Sequence, residues 1–235
     1  MKNRSLFFIL CCFVFIANSQ NNATTFGLQY KPIVPASYFN SSKIGFNSAY
    51  YTLNLTPRYS NSFGMVIRHK INSTFSIESG LNYTQRNFNL TLKNNMLNIN
   101  DYTSFGIRSY ELPFQLLAYV QTSEYWYVNV AFGFSYNVLA SDIFSLGEEN
   151  QNYYQNTYRK SGGYQAILAN IGMEYRTENK GFYYLGVSLH RPLKAIAKVF
   201  PEYNDAVNIF NEDNELALDL LGNFVTIDIR YFFAK

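Results

Sequence analysis

The stretch that most constrains this chain runs from Tyr125 to Leu139, YWYVNVAFGFSYNVL. Trp126, Val128, Val130, Phe132, Phe134, Tyr136 and Val138 take alternate positions, and all are apolar or aromatic. Between them, after Tyr127, come Asn129, Ala131, Gly133, Ser135 and Asn137, which are small or polar. A period of two puts the two sets on opposite faces of a β-strand. The strand exceeds the roughly five or six residues common in soluble sheets. An aromatic at each end of the apolar face, with aliphatic residues and Phe between, is the layout of a lipid-facing strand. The inner face of a soluble β-sandwich alternates too, so the rest of the chain has to decide.

Composition narrows the choice. The 235 residues fit one domain, with 21 Tyr and 21 Phe but only 15% charged residues, against roughly 25% in soluble domains. Mean hydropathy is nevertheless slightly negative, which suits alternating strands better than membrane helices. At the N-terminus, Lys2 and Arg4 precede an apolar run from Leu6 to Ala17, and Ala17-Asn18-Ser19 offers small residues before Gln20. This reads as a secretory signal peptide over residues 1–19, leaving 20–235 as the mature domain. Both cysteines, Cys11 and Cys12, fall inside the signal, so the mature chain has no thiolate chemistry, disulfide or Cys-based metal site. Without Lys2 and Arg4, 17 of the 19 basic residues stand against 16 acidic ones. That balance gives no basis for nucleic-acid binding. Past the signal, no window approaches the roughly 18 consecutive apolar residues of a spanning helix. A chain like this can cross a bilayer only as a closed barrel, because lipid cannot satisfy an open backbone edge.

Eight alternating segments are predicted, at about 25–31, 62–71, 74–88, 108–121, 125–139, 163–176, 181–191 and 223–233. Pro113 cannot donate to a ladder and marks a bulge or a break in the fourth. The connections alternate between long (about 32–61, 89–106, 140–161 and 192–221) and short (Asn72-Ser73, Thr122–Glu124 and Thr177–Lys180). Long outer loops, short periplasmic turns and an even strand count define a bacterial outer-membrane barrel. The aromatics sort with this assignment. Phe26, Phe75, Trp126, Tyr175, Tyr183 and Tyr231 fall near the short-turn end, and Tyr30, Phe63, Tyr83, Tyr110 and Tyr136 near the long-loop end. The expected fold is therefore all-β, an eight-stranded antiparallel transmembrane barrel in the cell outer membrane. Within the long connections, Tyr50 to Leu55 extends a strand pair beyond the membrane, and Asn204 to Phe210 forms a short helix. The last connection has a net charge of −4, from Lys194 and Lys198 against Glu202, Asp205, Glu212, Asp213, Glu215 and Asp219.

The inward set contains Arg68, Glu78, Arg86, Glu111, Glu174, Arg176, Asp228 and Arg230. An eight-stranded barrel has room inside for little but side chains. Buried charges need partners, so these residues are expected to form a salt-bridged plug, with Arg68 meeting Glu78 and Arg86 meeting Glu111. No cofactor or metal is implied. The one nucleophile-and-base candidate is Ser188 with His190, on one face of the seventh strand; His69 faces outward near the periplasmic rim. In the loops, Tyr38, Phe39, Tyr153, Tyr154, Tyr158, Phe200, Tyr203 and Phe210 are candidates for partner binding. The alternative is that they cap the barrel by packing on one another.

Three segments, FSIESGLNYTQRNF (Phe75 to Phe88), YELPFQLL (Tyr110 to Leu117) and the closing VTIDIRYFF (Val225 to Phe233), resemble the small outer-membrane β-barrel proteins of Bacteroidota, the PorT-like and OmpX-like set. The resemblance covers the mature chain and implies an eight-stranded barrel. Such families usually end on an aromatic residue read by the assembly machinery; here Ala234 and Lys235 follow Phe233. It assigns no activity, because fold does not imply function. The first expectation is a non-enzymatic barrel that anchors or assists a larger envelope complex, with outer-membrane lipid and other envelope proteins as partners. A lipid-modifying enzyme using His190 and a surface structural or adhesive protein are the alternatives.

Overall fold

The computed structural model describes residues 24–35, 45–47, 51–94, 99–149, 153–177, 180–203 and 217–234. Among them the chain forms strands and no helix. In order these are β1 (Thr24–Val34), β2 (Gly45–Asn47), β3 (Tyr51–Pro57), β4 (Ser60–Lys70), β5 (Phe75–Asn94), β6 (Ile99–Gln121), β7 (Trp126–Leu139), β8 (Ile143–Leu146), β9 (Tyr153–Arg159), β10 (Gly163–Arg176), β11 (Phe182–Pro192), β12 (Ala197–Tyr203), β13 (Leu218–Leu220) and β14 (Phe224–Phe232). The expected signal peptide and the expected helix at Asn204 to Phe210 lie outside the described residues.

Eight of these strands close a ring, β1-β4-β5-β6-β7-β10-β11-β14, with β14 pairing antiparallel to β1. Every predicted segment corresponds to one of them. Their outward faces are bare hydrocarbon: Leu28, Met65, Phe114, Phe132, Ile171, Leu185 and Ile229 are all exposed. A water-soluble monomer does not carry an apolar surface of that extent. The girdles close on themselves. Trp126 packs on Tyr175 (5.0 Å) and Tyr183 on Tyr231 (5.2 Å) at the short-turn end. Phe63, Tyr83 and Tyr110 pack in series at 5.2 and 5.7 Å at the other. The Asn72 carboxamide caps the first turn, accepting from the backbone amides of Thr74 and Phe75 at 2.8 and 2.7 Å. At Pro113 there is no bulge. Ser79 opposes Phe114 and Asn82 opposes Glu111, one unshifted register with a gap in the ladder between them.

Residues 51–55 extend a strand pair beyond the membrane as expected, and the other long connections also hold strands where polar loops are expected. β5 and β6 run on as a paired ribbon to Asn94 and Ile99, and β3 and β2 extend it. Opposite, β13, β12, β9 and β8 make a four-stranded sheet from what read as the third and fourth loops. The two walls enclose a dry core that includes Leu53, Leu55, Phe88, Leu90, Leu92, Phe105, Ile196, Val199 and Leu220. Burial of each such side chain contributes about 2 kcal/mol. Thr103 Oγ1 stitches the walls together, donating to the Leu146 carbonyl (2.8 Å) with the Ser145 hydroxyl 2.7 Å away.

The cause lies in the pattern along β5. Within the membrane its outward residues are apolar (Ile77, Leu81, Tyr83) and its inward ones polar (Glu78, Asn82, Thr84, Arg86). Past Arg86 the period of two continues with the faces exchanged: Phe88, Leu90 and Leu92 point inward, and Asn87, Asn89, Thr91 and Lys93 outward. β6 does the same between Ile107 and Tyr110. On the β3–β4 side a bulge intervenes. Pro57 opposes Phe88 and Asn61 opposes Gln85, so Arg58 to Ser60 stand against only Arg86 and Asn87. The Asn87 amide donates to the Ser60 hydroxyl at 2.8 Å, and the Arg58 amide to the Asn87 carbonyl at 2.8 Å. The extra residue resets the parity, so that Leu53 and Leu55 face in above it and Ser60 and Ser62 below.

Candidate functional site

Seven side chains form a line of alternating charge through the lumen. Arg176 Nε donates to Glu174 Oε1 at 2.5 Å. Glu174 Oε2 accepts from Arg68 Nη1. Arg68 also donates through Nε (3.1 Å) and Nη2 (3.0 Å) to Glu78 Oε2. Glu78 Oε1 accepts from Arg230 Nη1, and Arg230 Nη2 donates to Asp228 Oδ2 at 2.5 Å. Lys31 Nζ lies 3.8 Å from the same carboxylate. The line ties β10, β4, β5, β14 and β1 together. Three guanidiniums also lie over rings: Arg176 over Tyr127 (3.8 Å), Arg68 over Phe232 (3.9 Å) and Arg230 over Tyr184 (4.7 Å). Arg68, Glu78, Glu174, Asp228 and Arg230 are buried, so water screens their contacts little and each charge depends on its neighbours.

Arg68 and Glu78 oppose each other across β4 and β5, as the short turn between them requires. Arg86 and Glu111 do not meet. Arg86 opposes Ile107, and Glu111 opposes Asn82. Four residues of strand, roughly 13 Å, separate their levels. Strand ends expected at residues 88 and 108 would put Arg86 beside Tyr110; the ladder puts it beside Ile107, so the two charges lie further apart. Glu111 instead accepts from Asn82 Nδ2 at 2.9 Å. Arg86, 2% exposed, donates to the Gly222 carbonyl (2.8 Å) and the Tyr164 hydroxyl (3.3 Å), and no carboxylate among the described residues pairs with it. It marks the boundary between the polar lumen and the dry core above.

Ser188 and His190 do not form a nucleophile-and-base pair. The Ser188 hydroxyl donates to Asp228 Oδ2 at 2.6 Å. His190, 3% exposed, stacks on Phe224 with centroids 4.3 Å apart, and its Nε2 lies 3.5 Å from Glu111 Oε1. His69, at the rim, shares a 2.9 Å hydrogen bond with the Thr24 hydroxyl.

Above the membrane, the candidate loop aromatics separate by strand parity. Tyr153 is fully buried in the dry core, contrary to its assignment as a binding residue; burial pushes its phenol well above the ordinary value. Tyr158, 51% exposed, is on the outer face of the four-stranded sheet. There it meets Phe200 edge-on at 5.6 Å, and Phe144 meets Tyr154 at 5.9 Å. The Tyr154 hydroxyl donates to Glu202 Oε2 at 2.6 Å, which holds its proton more tightly. Tyr38, Phe39 and Phe210 lie outside the described residues, and of Tyr203 only the backbone is described. The alternation in YYQNTYR, residues 153–159, already separates Tyr153 from Tyr154 and Tyr158. Phe144 and Leu146, both exposed beside them, were missed because IFSL is too short to register as a strand.

A closed eight-stranded ring with an apolar belt, two aromatic girdles and a charged lumen is an outer-membrane β-barrel, and the outer membrane is where such a surface is stable. The comparison with solved structures agrees. The outer membrane protein OprG from Pseudomonas aeruginosa is similar in fold, at TM-score 0.51 and 12% identity over 91% of this chain and 97% of its own. The outer membrane protease OmpT from Escherichia coli also aligns, at TM-score 0.33 and 8% identity over 90% of this chain and 92% of its own. No known family matches the sequence, and no curated protein does.

Proposed function

We propose that this protein is a non-enzymatic outer-membrane barrel of the PorT-like and OmpX-like kind, and that it serves as an anchor or accessory subunit of a larger envelope complex. The observation that carries this reading is the outer face of the sheet formed by β8, β9, β12 and β13. Phe144, Leu146 and Tyr158 stand exposed there beyond the girdle, where no lipid covers them. A rigid aromatic surface in water is characteristic binding material, and the dry core behind it fixes its shape.

The test is a paired pull-down. Full-length protein and the variant Phe144→Ser/Tyr158→Lys are extracted in mild detergent after cross-linking in cells, and bound proteins are identified. A reproducible envelope partner retained by the first and lost by the second is expected. Absence of any reproducible partner, or equal recovery with both, overturns the reading.

A further inference from the structure

Two adjoining depressions on the outside of the barrel wall have no part in the lumen or in the aromatic sheet. The lower is an apolar groove of about 400 Å³ between Leu28, Phe63, Met65 and Leu81, topped by Tyr83 and Tyr110. It lies within the lipid-facing belt, at the outer girdle. The upper, about 500 Å³, is lined by both Arg58 and Arg108, with Gln85, Asn87 and Ser104. Tyr83 opposes Tyr110 and Gln85 opposes Arg108, so the upper depression begins one residue pair above the groove. Two residues of strand span roughly 7 Å, which is about the thickness of the headgroup layer on one side of a bilayer.

The two guanidiniums are exposed at that level and have no carboxylate partner among the described residues. The bulge presents Arg58 on the outer face. Its Nη1 is oriented by Asn89 Oδ1 (3.4 Å) and Ser104 Oγ (3.2 Å), both neutral, which leaves the rest of the fork available. An unpaired two-arginine pocket directly above an acyl-sized groove matches a molecule with a phosphate at one end and a hydrocarbon chain at the other.

We infer that this wall holds a phosphate-bearing lipid of the outer leaflet, with a chain in the groove below Tyr83 and Tyr110 and the phosphate against Arg58 and Arg108. This site shares no residue with the proposed partner surface: it is built on β1, β4, β5, β6 and the β3–β4 bulge, the other on β8, β9, β12 and β13.

Native mass spectrometry of the detergent-solubilised full-length protein tests it, with bis-phosphorylated lipid A as probe. Controls are the same lipid after enzymatic dephosphorylation, inorganic phosphate as competitor, and the remote variant Lys198→Gln. An interfacial arginine contributes about fivefold to anionic lipid binding. Arg58→Gln/Arg108→Gln is therefore expected to lose about 30-fold in lipid A occupancy, while Lys198→Gln matches the parent and inorganic phosphate does not displace the lipid. If the double variant fails the heat-modifiable gel test for a folded barrel, Arg108→Gln alone, whose side chain has no ion-pair partner among the described residues, is expected to lose about fivefold. Unchanged occupancy in the variants, or equal binding of the dephosphorylated lipid, overturns the proposal. Displacement by inorganic phosphate also overturns it, by reducing the pocket to a free-anion site.

Discussion

Glu78 is the residue on which the lumen's charge balance turns. Its carboxylate accepts from Arg68 on β4 and Arg230 on β14, both buried, and thereby joins three strands of the ring. In Glu78→Gln the shape is kept and one negative charge is lost. Removing one partner of a buried pair costs about 3–5 kcal/mol. Arg68 keeps Glu174 and Arg230 keeps Asp228, which places the expected loss at the lower end, about 3 kcal/mol. Reversible urea unfolding in lipid vesicles, followed by Trp126 fluorescence, measures it as a lower midpoint at unchanged slope. Adding Arg230→Gln restores the balance, so the double variant is expected to lose less than the sum of the two singles, with a coupling of about 1–3 kcal/mol. A Glu78→Gln variant within about 0.5 kcal/mol of the parent, the range of ordinary surface changes, would refute the reasoning. The lumen charges would then be solvated, and the plug would be a water-filled channel.

Four further outcomes follow from the same geometry. A side chain at Gly172 would approach Tyr184 Oη to 2.3 Å and the Leu185 carbonyl to 2.6 Å; Gly172→Val is expected to cost about 1–3 kcal/mol in the same urea assay. Arg86→Met removes a buried cation that has no carboxylate partner among the described residues; its urea midpoint is expected to fall by the equivalent of about 1 kcal/mol at most, or to rise. The Arg159 amide and guanidinium hold the Asp142 carboxyl below its ordinary 3.8. Because the folded-state value is the lower one, the contribution is complete above the unfolded value and disappears as pH falls below 3.8. The protection factor of the Arg159 amide, its exchange relative to the intrinsic rate at the same pH, is therefore expected to fall in Asp142→Asn at neutral pH, and in the parent only under acid conditions. In planar bilayers the parent is expected to give no conductance steps, because the lumen is filled by paired charges and closed above by Leu90, Val199 and their neighbours.

The ring was legible because lipid outside and charge inside force the same alternation on every strand, as Met65, Ile67 and Arg68 illustrate on β4. The four-stranded sheet above was not, for two reasons. Its strands are short, and their polarity is reversed: Tyr153, Val199, Leu218 and Leu220 face a dry interior, while Tyr158, Lys198 and Asp219 meet water. Read against a barrel template, such segments look like polar loops. The signal was present in β5, where the even-numbered residues change from Asn82, Thr84 and Arg86 to Phe88, Leu90 and Leu92. Of the lumen pairs, Arg68 with Glu78 needed only a short turn. The Arg86 and Glu111 levels depended on the register of β5 against β6, which no period in the sequence between these strands sets.

The exchange of faces at Arg86 has a consequence for how the protein sits in its bilayer. Sinking by one residue pair would draw Gln85, Asn87 and Arg108 into oil; rising by one would lift Tyr83 and Tyr110 clear of it. Either displacement is penalised from both sides, so the depth of immersion is fixed to within a few ångströms. A membrane of different thickness must deform around the barrel, because the barrel cannot shift to suit it.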